Sequence, residues 1–502
     1  MRRSIWLSPL LLAGSLRAQA PNPLDRAAET ITAEDMRRRV EVLADDSMMG
    51  RDTPSPGLER AAEYVIGEFR RLGLRPAGEG GGYAQRFGIS RWTVDTAASA
   101  LELSAGSARA APRLGKDVRW IGGELSGREI EGQVMLVAGP LTPKVTASPR
   151  LVGRVVLLVV DYSRPLPTDL GERVDQIARM ARAVMILSNR DSATFALRLA
   201  AAAEPRLGPD FRAEGGAPVV ELHERSLGPI LTAAGIDPPG LRTLQQGEIS
   251  SPARLRGKLR LAPRYLMRGE APNLVGILEG NDPRLRREYV VITAHLDHIG
   301  VRPGRSDSIA NGADDNASGV AALLELAEAF SPRSARPRRS LLFLAPSGEE
   351  KGLWGSAYFT ERPTVPLRSI VADLNFDLIG RNWPDSVIAS GLEMSTLGPT
   401  LMRVSGAHPE LRMTPIADRW PEERIFYRSD HYNFARKGIP VLFFTSGTHP
   451  DYHQPTDSAD RIDVEKASRL VRLLFHLGAA VADDPKRPEW SPESYRQIVE
   501  RR

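Results

Sequence analysis

At 502 residues the chain is too long for one compact core, so two domains, or one domain with a large insertion, are expected. Its formal charge of +5 includes Arg2, Arg3 and Arg17 of a leader-like start; without residues 1–20, 67 − 3 = 64 basic residues face 62 acidic ones, about +2. Neither that balance nor any Lys/Arg run interleaved with aromatics supports nucleic-acid binding, and the lack of cysteine excludes a disulfide framework, a thiolate metal site and a lipidated cysteine.

In chain order, residues 1–20 read as a secretory signal: Met1-Arg2-Arg3, a short apolar stretch from Ile5 to Leu16, then Ala18-Gln19-Ala20 as a small-x-small cleavage site. This predicts an exported protein, periplasmic or extracellular. No later segment is long and apolar enough for membrane insertion. Residues 31–74 read as helical, with Leu58, Ala61, Ala62, Val65, Ile66, Phe69 and Leu72 at helical spacing and Gly73 as a stop. From about 98 to 265 the texture changes to short β-type runs, such as Gln133–Val137 and Val155–Val160, with a helix at Val174–Ala183 and a strand at Val184–Leu187. From Asn273 strands and helices alternate, with strands expected at Tyr289–Ala294, Leu341–Ala345, Leu374–Asp377 and Pro440–Phe444, and a strong helix from Val320 to Phe330. Such alternation implies an α/β layered fold with a largely parallel sheet. The expected division is a signal peptide over 1–20, an N-terminal part of the catalytic domain over 21–104, an inserted β-rich domain over 105–265, a core over 266–485 and a charged, loosely attached tail over 486–502.

Five residues of metal-ligand type lie at or after the ends of these apolar runs: His295, Asp315, Glu350, Asp377 and His453. Functional groups of parallel α/β sheets gather beyond the carboxyl ends of the strands. Imidazoles with carboxylates suit zinc or a similar divalent ion, and two metals need about this many ligands if one carboxylate bridges them. In His295-Leu296-Asp297 the first and third residues of an extended segment point the same way, so Asp297 can orient His295. Gly312-Ala313-Asp314-Asp315-Asn316-Ala317-Ser318-Gly319 opens the strong helix; helix capping accounts for one of its polar residues but not for two adjacent carboxylates. Its Asn316 sequon is discounted, because the loop is expected to be buried. Adjacent Glu349 and Glu350 can divide two tasks, one ligating and the other taking a proton from water. Asp377 interrupts an apolar run, which is costly for a charge that is neither paired nor metal-bound. Ser429-Asp430-His431 invites a hydrolase-triad reading, but three contiguous residues are poorly placed for a relay and no G-x-S-x-G elbow is present. No H-E-x-x-H helix motif occurs either.

Together these segments, in this order, resemble the M28 family of zinc aminopeptidases, over most of residues 271–480 and more weakly over 31–90. The resemblance implies a three-layer α/β/α catalytic domain with a largely parallel mixed sheet. It also implies two Zn2+ ions: Asp315 bridging, His295 and Asp377 on one ion, Glu350 and His453 on the other. Glu349 is then the general base and Asp297 the residue that orients a ligand. The Asp315–Asn316 peptide is expected to be cis. The inserted domain resembles a protease-associated domain, which in the family flanks or covers the cleft. The implied partners are peptides with a free N-terminus. Rival readings are a one-zinc glutaminyl cyclase-like transferase, a metallo-carboxypeptidase or dipeptidase, and a non-catalytic receptor-like module.

Overall fold

The computed structural model describes residues 22–211, 215–252, 254–304 and 306–500, so the expected signal segment lies outside the described residues. The chain divides into two compact units, one within Met1–Arg86 and Pro272–Arg502, the other within Phe87–Ala271.

The first unit begins with the helical region foreseen over 31–74. It is broken into Ala33–Leu43, a 3-10 turn at Asp46–Arg51, and Pro56–Arg71. Thr32 and Ser55 cap the two helices by accepting from the amides of Asp35 and Leu58. Gly73 follows with a positive φ of 71°. The sheet of this unit runs in the order Thr414–Ile416, Ser386–Ser390, Val441–Thr445, Ile370–Phe376, Tyr289–Thr293, Ser340–Ala345, then the end of Pro263–Leu278. The strands at 441, 370, 289 and 340 are mutually parallel, and the pairs at either side of them are antiparallel. They are apolar throughout because both faces are covered. Val275, Val291, Leu342, Leu344 and Val441 pack with Phe359 and Phe434 on one face. Their alternating neighbours Val290, Ile292, Leu341 and Phe343 are equally buried on the other, against which the helices Gly319–Phe330 and Val464–Asp483 lie. The mixed three-layer α/β architecture follows from this double burial.

Within the same unit Arg39 is wholly buried, with Nε donating to Glu325 at 2.6 Å and the other guanidinium nitrogens reaching Glu68 and Glu328. This joins three helices at one point.

The second unit has the strand order Ala108–Ala110, Ala100–Ala105, Leu255–Arg260, Glu129–Ala138, Val155–Val160, Ala183–Ser188, Val219–His223, Val118–Gly122. Four of these, from 129 to 223, are parallel, and the helix Leu170–Ala178 connects two of them. Two boundaries differ from expectation. The inserted unit opens at Phe87 rather than 105 and closes at Ala271 rather than 265. Ala100–Ala105 pairs with Leu255–Arg260, so it belongs to the inserted sheet, not to the N-terminal segment.

The segment after Pro485 is not the loose tail its charge suggested. Ile498 is buried in the apolar cluster around Phe434, Trp490 packs against it, and the Trp490 indole N–H donates to the carbonyl of Gly438 at 3.0 Å. Arg487 also pairs with Glu288 at 2.7 Å. Truncation after Pro485 is therefore expected to destabilise the first unit by on the order of 3 kcal/mol. A denaturation midpoint equal to that of the full chain would contradict this packing.

Candidate metal centre

The parallel strands deliver their ends to one place. Tyr289–Thr293 is followed by His295, Ser340–Ala345 by Glu349 and Glu350, and Ile370–Phe376 by Asp377. His453 follows Val441–Thr445 in an irregular loop. Asp315 comes from the turn before Gly319–Phe330, where the Asp315–Asn316 peptide is cis. Local hydrogen bonds fix that turn. The amides of Asp314 and Asp315 donate to the Asp457 carboxylate at 3.0–3.1 Å, and Asn316 donates its side-chain amide to the Phe376 carbonyl at 2.8 Å. Asn316 is buried, which disposes of the sequon. The two adjacent aspartates separate in role: Asp314 accepts from the Gly380 amide at 2.6 Å, leaving Asp315 toward the strand ends.

Asp315 divides its two oxygens. Oδ1 lies 3.5 Å from His295 Nε2, which is itself 3.2 Å from Asp377 Oδ1. Oδ2 lies 3.2 Å from His453 Nε2, which is 3.1 Å from Glu350 Oε2. The five residues singled out in the sequence thus come together as two sets sharing one carboxylate. Potential ligand atoms of His295, Glu349 and Asp377 lie within 4.8 Å of one another, and so do those of His298, Asp315 and Glu350. Glu349 is therefore beside the first set, and His298 beside the second.

The donor chemistry fits divalent metal. Asp297, Asp315, Glu349, Glu350 and Asp377 concentrate negative charge at low exposure. Burial raises Asp315, with the Glu350 charge adding to it, and burial pushes Glu349 well above the usual range against the pull of His295. Burial would raise Glu350 too, yet hydrogen bonds from His298 and His453 hold it well below. The buried cation nearby, Arg51, gives its N–H groups to backbone carbonyls of Leu43, Leu296, Asn311 and Gly312 rather than to any of these carboxylates. Burial brings its pKa down to about 10. Five clustered carboxylates whose only side-chain cations, among the described residues, are the imidazoles of His295, His298 and His453 call for further positive charge from solution.

One role differs from expectation. His295 Nδ1 lies 3.1 Å from the backbone carbonyl of Asp297, whereas the Asp297 carboxylate is 3.8 Å away. That carboxylate instead accepts from the Glu349 amide at 3.2 Å and from Thr53 Oγ1 at 3.0 Å. Asp297 therefore positions Glu349, while the carbonyl it carries orients His295. Sequence reasoning missed five other contributors. Arg51 ties the His295 and Asp315 loops together. Ser429 gives its hydroxyl hydrogen to Asp377 Oδ2 at 2.9 Å while accepting from Asn375 at 2.8 Å, which absorbs it as a clamp on Asp377 rather than a nucleophile. His431 is buried and neutral, its pKa brought down to about 3 by burial. Asp457 cradles the Asp314–Asp315 amides.

His298 is the fifth. It is fully buried, with Nδ1 2.9 Å from Glu350 Oε1, the oxygen that does not face His453. The signal was available as a second imidazole three residues after His295 in HLDH. His298→Ala is expected to weaken metal affinity by about 10–100-fold. His298→Asn, whose amide supplies an N–H in place of Nδ1, should restore most of it. Chelator competition measures both, and unchanged affinity in the alanine variant would show that Glu350 needs no such partner.

A cavity opens against Asp315, Glu349 and Asp377, walled by Trp420, Ile425 and Phe443. Carboxylates and imidazoles gathered at the carboxyl ends of parallel strands define the class: an α/β scaffold with a centre fit for divalent metal. A model described as "Peptidase family M28" matches residues 273–478 of this chain. Among curated relatives it is similar to "Aminopeptidase YwaD" of Bacillus subtilis (27% identical over 233 residues, 43% of this chain and 46% of that one). It is also similar to a "Probable zinc metalloprotease" of Leptosphaeria maculans (33% over 213 residues, 37% and 48%). The chain thus spans about half the length of these relatives. Among solved structures it is similar to "Aminopeptidase from Aneurinibacillus sp. strain AM-1", with TM-score 0.47 and 18% identity over 92% of this chain and 97% of that one.

Proposed function

We propose that this protein is a zinc-dependent aminopeptidase with two metal ions. The observation that carries the reading is the division of Asp315 between the two ligand sets, since one oxygen faces His295 and the other His453. His295, Asp315 and Asp377 would hold one ion, and His453, Asp315 and Glu350 the other. When bound, the ions polarise a carbonyl and make water more acidic at neutral pH.

The chain's own residues do the rest. Glu349, with a carboxylate oxygen within 4.8 Å of ligand-type atoms of His295 and Asp377 and held at its amide by Asp297, takes a proton from the attacking water. The water oxygen bonds to the scissile carbon. Glu349 then passes the proton to the amine nitrogen as the C–N bond breaks. The apolar part of the lining, Trp420, Ile425 and Phe443, suits an apolar side chain on the residue being released. An aminopeptidase with this site cleaves peptides with a free amino terminus and leaves N-acetylated ones intact. Metal analysis with a panel of aminoacyl, N-blocked and C-blocked substrates tests this. One ion per chain, or cleavage from the carboxyl end, would overturn it.

The export reading of residues 1–20 accompanies this proposal and rests on their charged start, apolar stretch and Ala-Gln-Ala. Native protein retaining Met1 in its mass spectrum would contradict it.

A further inference from the structure

The second unit contains a cavity of about 740 Å³, formed entirely by its own residues and edged by Arg119, Arg179, Arg190, Arg198 and Arg206. Its volume is within the range that holds small organic ligands. The floor is built rather than incidental. Glu221, wholly buried, accepts from Arg119 Nε at 2.6 Å on one oxygen and from Arg190 Nε at 3.1 Å on the other. Two guanidiniums, 14% and 16% exposed, thus share one carboxylate, leaving a positive charge in excess at the cavity wall. Arg190 is held flat on the Tyr162 ring at 3.6 Å, and Arg206 lies 3.9 Å over Trp120 while donating to the Ile121 carbonyl. The Glu221 bonds and the Tyr162 ring fix the orientation of Arg119 and Arg190, whose guanidiniums still have donors to offer. At the rim Arg179 and Arg198 are exposed and make no ion pair among the described residues. Against this positive charge the lining contributes one carboxylate among the described residues, Asp175.

The remaining wall is apolar. Leu166 stands 37% exposed at the cavity, beside Leu170 and Val174. Arginines suit planar carboxylates in two-point contact, and an apolar wall beside them selects an anion with an apolar body over a bare inorganic one.

We infer that this cavity binds the carboxylate of a peptide that carries a neighbouring apolar side chain. The carboxylate is either the peptide's C-terminus or an Asp or Glu side chain. That the ligand is a peptide rests on the peptidase reading. Anion binding does not, and it is measured without turnover.

The test is titration calorimetry on the full chain at low ionic strength, where exposed charges are least screened. The probes are N-acetylated peptides ending in Leu-Glu or Leu-Gln, each with a free and an amidated C-terminus. Binding of the free-acid forms identifies the C-terminal carboxylate, and binding of amidated Leu-Glu identifies the side chain. In either case Arg198→Glu and Arg179→Glu, both at exposed positions, should weaken affinity by about tenfold or more while unfolding at the wild-type temperature. Three results overturn the inference: amidated Leu-Gln binding as well as the acids, affinity unchanged in both charge reversals, or inorganic phosphate competing as well as the peptides.

Discussion

Glu349→Gln is expected to retain both metal ions and lose turnover by roughly 10²–10⁴-fold, the usual contribution of general-base catalysis. The amide keeps the shape of the side chain, and the Asp297 carboxylate still holds the residue's backbone N–H at 3.2 Å. What disappears is an acceptor for the proton of water. Glu350→Gln should behave differently. Its Oε2 lies 3.1 Å from His453 Nε2, and a neutral amide is a poorer ligand for a hard or borderline cation. It should therefore lose metal along with activity, and loss of one ion should loosen the other through their shared Asp315. Metal content and kinetics measured on both variants decide the matter. Loss of metal by Glu349→Gln with retention by Glu350→Gln would exchange the roles, and full activity in both would remove them from the reaction.

Arg39→Met should be the most destabilising single change away from the metal centre, at about 3–5 kcal/mol, because it strands Glu325 in the interior. Burial already pushes the Glu325 carboxyl up to about 7, even with Arg39 pulling the other way. That folded value lies above the ~4.3 of an unfolded glutamate. The folded protein therefore keeps a proton that the unfolded chain has released, and stability falls as pH rises between those values and levels off above them. Without Arg39 the folded pKa climbs further, so the deficit of the variant should be larger at pH 8 than at pH 5. Arg39→Met with Glu325→Leu should recover most of the loss, since an apolar pair of similar volume leaves no unpaired charge in the interior, and Glu68 and Glu328 keep Arg71. Chemical denaturation of the three proteins at both pH values gives the answer. A deficit that is independent of pH would place its origin in packing rather than in Glu325.

The α/β core was legible because its strands are short apolar runs covered on both faces. Val155–Val160 and Tyr289–Thr293 announce themselves in composition, and the ligand-type residues stand out against them. The beginning of the inserted unit was not legible. Residues 100–104 alternate ordinarily, and only the pairing of Ala100–Ala105 with Leu255–Arg260, about 155 residues on, assigns them to its sheet. The tail misled through charge, because its anchors are two residues, Trp490 and Ile498, too far apart to register as a pattern. At the site, the five residues that come together around Asp315 could be read from residue type and position. Their supports could not. Arg51, Ser429 and Asp457 act through bonds to backbone or to another side chain, and nothing in their own neighbourhoods signals partners 52, 143 or 261 residues away.

Arg51 carries a consequence for how the molecule is made. Its guanidinium binds the carbonyl of Gly312, 261 residues further along, with the whole of Phe87–Ala271 intervening. At synthesis rates of about 5–20 residues per second, that partner leaves the ribosome about 10–50 s after Arg51 does. For that interval the helices Ala33–Leu43 and Pro56–Arg71 have apolar faces and buried-type arginines with nothing to bury them, while the inserted unit already has its own core and can close around it. The nascent chain thus passes through a stage in which its middle is folded and its beginning is waiting, and that beginning is the stretch a chaperone would have most reason to hold.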